Sequence, residues 1–161
     1  MNDDTIKRFI VISALWLLCN PMFAQNFQVS GDWSYTVLSA DITEAGNDFP
    51  GTYTSLADEV QIDVKWGNRD FQYRIEVRRD DIDWNSQLQL WVQRTGDGKG
   101  RTGGTISGGT PYQQITNSDL YFFGGSRTRQ KIPVQYQVRN VSVVIPAKTH
   151  STTVVFTFIE E

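Results

Sequence analysis

The chain predicts an antiparallel β-sandwich, Ig-like, with about seven or eight strands. Three observations carry this. Apolar and polar residues alternate with period two over long stretches, most regularly from Glu59 to Arg78. Gly, Asn and Pro punctuate the runs instead of continuing them. No stretch has the spacing of an amphipathic helix.

At the N-terminus, Lys7 and Arg8 precede the apolar run Phe9 to Leu18, and Ala24 supplies a small residue before Gln25. Charge, a greasy core too short for a bilayer and a small residue before a break are the parts of a secretory signal peptide. The expectation is a removed segment 1–24 and one domain, 25–161, secreted, periplasmic or at the cell surface. Cys19, the one cysteine, falls in the removed segment, so the mature chain would hold no disulfide. Lipid attachment at Cys19, with bulky Leu18 before it, and a retained anchor are the alternatives. Loss of Lys7, Arg8, Asp3 and Asp4 leaves the net charge at −3. A mildly acidic domain has no general attraction for nucleic acid or anionic membranes. The mature chain has no stretch apolar enough for a transmembrane segment.

Phe27, Val29, Trp33, Tyr35 and Val37 share one parity, interrupted by Gly31, and read as a first strand. Val60, Ile62, Val64 and Trp66 form the apolar face of the next clear strand, and Phe71, Tyr73, Ile75 and Val77 that of the one after it. With Gly67-Asn68 as the turn, the two read as a hairpin with Val64 opposite Phe71 and Lys65 opposite Asp70. Gln87 to Arg94 buries Leu88, Leu90 and Val92 and leaves Trp91 outside. Leu120 to Phe123 is a weaker strand, its aromatics anchored in the core. Val134, Tyr136 and Val138 face inward, and the phase slip after Arg139-Asn140 calls for a bulge or a turn. Thr152 to Ile159 is apolar on both faces at Val154-Val155-Phe156, which predicts a strand well inside a sheet. Two long connections remain, Asp41 to Ala57 and Gly96 to Pro111, the second holding seven of the thirteen glycines.

Hydrolytic triads and most zinc sites need histidine or cysteine, and the mature chain has His150 alone. Asp32, Asp80, Asp81 and Asp83 exist for carboxylate chemistry, but nothing in the sequence fixes a pair across a cleft. Asp81-Ile-Asp83-Trp-Asn85 begins like a calcium loop and then fails, with Ser86 where the sharp turn needs glycine and Val92 where an acid should close it. Gly96 to Gly104 has neither P-loop nor dinucleotide spacing. The expectation is a non-enzymatic protein with no cofactor and no metal.

Trp91, on the polar side of its strand, is the best ligand candidate. With Gln89, Gln93, Gln72, Arg74 and Trp84 it would make a flat amide and aromatic face of the kind that stacks on sugar rings.

The ending Ile145 to Phe158, a short turn into an alternating Thr/Val strand that closes on an aromatic, resembles the close of chaperone-usher-type pilin domains, especially the spore-coat-U-like branch. The resemblance covers roughly the last fifteen residues and the general layout of signal peptide and short all-β domain. It implies an incomplete sandwich completed by the next subunit, with Phe27, Val29, Gly31, Trp33 and Tyr35 as donor positions and Val154, Phe156 and Phe158 bordering the acceptor groove. The favoured function is an exported structural or adhesive protein, a self-assembling surface or pilus-like subunit whose partners are other copies of itself or surface proteins. The alternative is a module that binds a carbohydrate or another surface ligand.

Overall fold

A computed structural model describes residues 26–42, 44, 46–65 and 70–161. The expected signal peptide and the Gly67-Asn68 turn lie outside the described residues. Seven strands of five or more residues form the frame: β1 (Asn26–Ser30), β3 (Val60–Lys65), β4 (Gln72–Asp83), β5 (Gln89–Arg94), β9 (Leu120–Ser126), β10 (Arg129–Arg139) and β11 (Ser151–Glu160). Four short ones join them: β2 (Thr52–Thr54), β6 (Lys99–Gly100), β7 (Ile106–Gly108) and β8 (Gln113–Ile115). All pair antiparallel. One sheet runs β1-β3-β10-β5-β8, with β2 and β6 also on β10, and the other runs β11-β4-β9-β7.

The two sheets pack face to face, as the alternation predicts. Val60, Ile62 and Val64 of one sheet and Tyr73, Ile75 and Val77 of the other are all buried in one core with Leu90, Val92, Val134 and Tyr136. A period of two puts every second side chain on that inner face and leaves the rest for solvent.

The expected hairpin between β3 and β4 does not form. β3 pairs with β1 and β10, whereas β4 pairs with β11 and β9, so the two strands lie in different sheets. Either arrangement buries the same parity, because strands that face each other across a core need the same inward residues as strands that lie side by side. The charges regroup accordingly: Lys65 bridges Asp63 at 2.8 Å and Asp70 bridges Arg127 at 2.8 Å.

β11 is likewise an edge strand and not an interior one; among the described residues it pairs only with β4. Its apolar residues are half-buried because one face packs on the core through Val154, Phe156 and Phe158. The first strand is shorter than expected. Gly31 has a φ of +104°, and a Cβ there would stand 2.2 Å from the Glu59 carbonyl oxygen, so the chain turns out of the sheet. Trp33 and Tyr35 then lie beyond β1, with the Trp33 ring 6.4 Å from that of Tyr136 and the Tyr35 ring 4.5 Å from that of Tyr53. At the far end of β10 the phase slip is a departure from the sheet at Asn140, whose φ is +64°, and Val143 and Val144 are exposed.

In β9, Phe122 and Phe123 are both fully buried although they are neighbours. Ile75 pairs with Phe123 and Glu76 with Tyr121, so Phe122 is the extra residue of a bulge that turns a second ring inward. Its ring then meets Phe123 at 5.1 Å and Phe156 at 6.0 Å.

Tyr73 is 1% exposed, and its hydroxyl has no hydrogen-bond partner among the described residues. A buried unsatisfied hydroxyl costs about 1–3 kcal/mol. Tyr73→Phe is therefore expected to leave stability unchanged or to raise it by about 1 kcal/mol in urea unfolding. A loss beyond 1 kcal/mol would mean that the hydroxyl is bonded.

Candidate functional site

The strand register divides the residues expected around Trp91 between two faces. Gln89, Trp91 and Gln93 are the outward residues of β5, while their neighbours Leu90 and Val92 are buried. Gln72 and Arg74 are the outward residues of β4, in the other sheet, and so stand on the opposite side of the sandwich. Trp84 belongs to neither face. It packs partly against the core, donates its indole N–H to the Leu88 carbonyl at 3.1 Å, and lies 5.3 Å from the Arg79 guanidinium.

Residues from other strands take the vacated places. Trp91 is registered with Gln114 of β8 on one side and Gln137 of β10 on the other, and Gln137 with Thr54 of β2. Gln93 is registered with Gln135 and Gln89 with Arg139. The result is a strip of amides with one indole at its centre. Gln93 donates to the Gln135 amide oxygen at 2.7 Å, and the Tyr112 hydroxyl donates to the same oxygen at 3.0 Å. Gln135 donates onward to the Ser55 carbonyl at 2.9 Å. The Trp91 N–H donates to the Gln89 side-chain oxygen at 3.2 Å, which fixes the half-buried ring. Burial pushes the Tyr112 hydroxyl pKa up, partly opposed by the nearby Arg139 charge.

Arg139 was not legible as part of this face. Its guanidinium carbon lies 3.9 Å from the centre of the Trp91 ring and 5.6 Å from that of Tyr112, and its Nε donates to Gln137 at 2.5 Å. A cation over an indole face is attracted by the ring quadrupole. A guanidinium therefore covers one face of the indole. Next to Gln89 the strip runs into a hollow of about 440 Å³ lined by Ser86, Gln87, Asn140, Ser142, Val144 and Ile145.

A second hollow of about 450 Å³ lies on the outer face of the other sheet, among Gln72, Arg74, Tyr121, Gly124, Ser126 and Glu161. Arg74 there is already neutralised, by Glu76 at 3.0 Å and Glu161 at 3.2 Å.

The glycine-rich connection proves to be organised by two buried arginines. Arg94 follows Leu90 and Val92 on the inward parity of β5, a signal present in the sequence, and is 4% exposed. Its Nε donates to the Gly108 carbonyl at 3.0 Å, and its NH1 donates to the Gly96 carbonyl at 2.8 Å and to the Asp97 carboxylate. Arg129, 9% exposed, donates to the carbonyls of Thr105, Asp97 and Gly104 at 3.3, 3.0 and 2.8 Å. Carbonyls that converge on cations leave no ready cradle for phosphate, which needs N–H donors.

Of the calcium-like run, Asp81 and Asp83 sit at the end of β4 opposite β11. Asp81 bridges Arg79 at 3.2 Å, and Lys148 holds the Asp83 carboxyl below its ordinary pKa by donating to it. Among the described residues no three His, Cys, Asp or Glu side chains are grouped to hold a metal.

Of the expected donor and acceptor residues, Phe27 and Phe158 meet within this one chain. The Phe27 ring of β1 lies 5.9 Å from that of Phe158 in β11, and β1 is bonded to β3 over five residue pairs. Val29 is exposed, and Val154 and Phe156 pack partly against the core. No protein-family model, curated protein or solved structure matches the chain.

Proposed function

We propose that this chain is an exported structural or adhesive β-sandwich subunit that assembles at the cell surface with copies of itself, by strand addition along β11. The observation that carries the reading is the character of that edge. β11 has ten residues, is uncharged from Ser151 through Ile159, contains no proline, and among the described residues pairs on one side only. Natural edge strands are usually blunted by charge, proline, bulges or shortness, because unpaired N–H and C=O groups template another strand. β1, the edge strand of the facing sheet, is also uncharged. An antiparallel pair of β11 strands centred on Val155 sets Val155 opposite its copy and Thr153 opposite Thr157, β-branched pairs that suit such a contact. The signal-like pattern before Gln25 supports export, and the reading assigns no catalysis.

The test is light scattering of the purified protein over a hundredfold concentration range, beside Val155→Lys. A mass that climbs with concentration in the parent and stays monomeric in the variant is expected. A half-exposed outward position should cost the fold less than about 1 kcal/mol, so the variant reports on the edge. A parent that is monomeric throughout would overturn the reading. A second reading, a module for a surface ligand, is favoured by the amide strip around Trp91.

A further inference from the structure

We infer that the outer face of β5 and β10 is a binding site for a carboxylate-bearing saccharide, with Arg139 as its anion anchor. The inference begins with what Arg139 lacks. Among the described residues no carboxylate lies within salt-bridge distance of it, whereas Arg74, Arg78, Arg79, Arg94 and Arg127 each bridge an acid. The strip itself is free of acids: its outward side chains are Gln89, Trp91, Gln93, Gln114, Gln135, Gln137, Thr52 and Thr54 beside Arg139. In a chain of net charge −3 Arg139 is then the one charge among the outward residues of the strip, and the acid that reaches the adjoining hollow is Asp48, through Ser142.

The guanidinium is also held ready. Stacking on Trp91 and the bond from Nε to Gln137 fix its plane, which leaves its two terminal NH2 groups as a fork. That fork matches the two oxygens of a carboxylate, and a pre-set plane lowers the entropy lost on binding. Because Arg139 lies over the indole, a neutral sugar finds that ring face occupied. Recognition therefore passes from stacking to charge.

What surrounds the fork decides between a saccharide and a peptide. The adjoining hollow of about 440 Å³ offers Ser86, Gln87, Gln89 and Asn140, hydroxyls and amides that can both give and accept bonds, as sugar hydroxyls require, while the Ser142 hydroxyl beside them donates to Asp48. Its apolar lining is limited to Val144 and Ile145. An acidic peptide would gain its affinity from apolar pockets or a free strand edge, and the centre of this sheet face provides neither.

The experiment is titration of the purified protein with trigalacturonic acid, followed by calorimetry and tryptophan fluorescence. The fully methyl-esterified trimer and a glutamate-rich peptide of equal charge are the controls. The acid trimer is expected to bind, to lose affinity steeply with added salt, and to be at least tenfold weaker with Arg139→Gln. Arg139→Lys, which keeps the charge but not the planar fork, should fall between. Unfolding curves of both variants separate a lost fork from a lost fold. Equal binding of the methyl ester, equal or tighter binding of the peptide, or no effect of Arg139→Gln would each overturn the inference.

Discussion

Arg94→Met is expected to cost about 2–3 kcal/mol of stability, the range for losing hydrogen bonds from a buried charged donor, since the acid it also meets, Asp97, is exposed. The side chain is almost as long as arginine's and apolar, so the loss is not a cavity effect. It comes from groups left behind: the Gly96 and Gly108 carbonyls lose their donor, and the Asp97 carboxylate loses its cation. Arg129→Met strips the carbonyls of Thr105, Asp97 and Gly104 and should cost a similar amount. Both arginines act on Asp97, one on its carboxylate and one on its carbonyl, so the double variant should lose less than the sum. Urea unfolding reads this as a lower midpoint at unchanged slope. Arg74→Met, on an exposed ion pair, should shift stability by less than about 1 kcal/mol and serves as the comparison. A loss below 1 kcal/mol for Arg94→Met would show that the loop does not depend on its cations.

These arginines also mark the limit of what the sequence conveys. Parity is local, and it placed Val60, Ile62, Val64, Tyr73, Ile75 and Val77 in the core, as they are. The same parity carries Arg94 inward, but charge alone would have put it outside, and only the carbonyls of Gly96 and of Gly108, fourteen residues on, reveal why burial is tolerated. Lateral pairing is not local. Val64 and Phe71 would face the core whether β3 and β4 were neighbours or opposites, so the hairpin and the crossover read alike. The two-sided apolar pattern at Val154-Val155-Phe156 suggested an interior strand, whereas among the described residues β11 pairs on one side only. The wrong inference there and the proposed assembly have one cause, an edge without the usual protecting charges. Trp91 was visible as an indole on a polar parity. Arg139 was not, since its partnership with Trp91 depends on the pairing of β5 with β10, about fifty residues apart in the chain.

The second large effect is alkaline. The fold holds three inward tyrosines in their neutral form. Burial pushes Tyr73 up to about 12, opposed in part by the charges of Arg129 and Arg94. Burial, followed by the bond its hydroxyl donates to Asp41 at 3.1 Å, pushes Tyr53 up to about 12. Burial raises Tyr136 further still. An unfolded tyrosine gives up its proton near 10. Between pH 10 and 12 the unfolded chain therefore holds fewer protons than the folded one, and stability falls as pH rises. Below pH 10 the contribution is fully present. Each pH unit between the unfolded and folded midpoints is worth about 1.4 kcal/mol, so Tyr73 and Tyr53 together remove about 5 kcal/mol by pH 12. That is comparable with the whole stability of many domains, and unfolding as the pH approaches 12 is the expected result. The measurement is the urea midpoint at steps from pH 8 to 12, with tyrosinate absorbance recorded alongside. Tyr73→Phe should flatten the fall between pH 10 and 12 without abolishing it, because Tyr53 and Tyr136 remain. If all the tyrosines of the native protein ionise near pH 10 with no loss of stability, the inward rings are open to water and this account of the core is wrong.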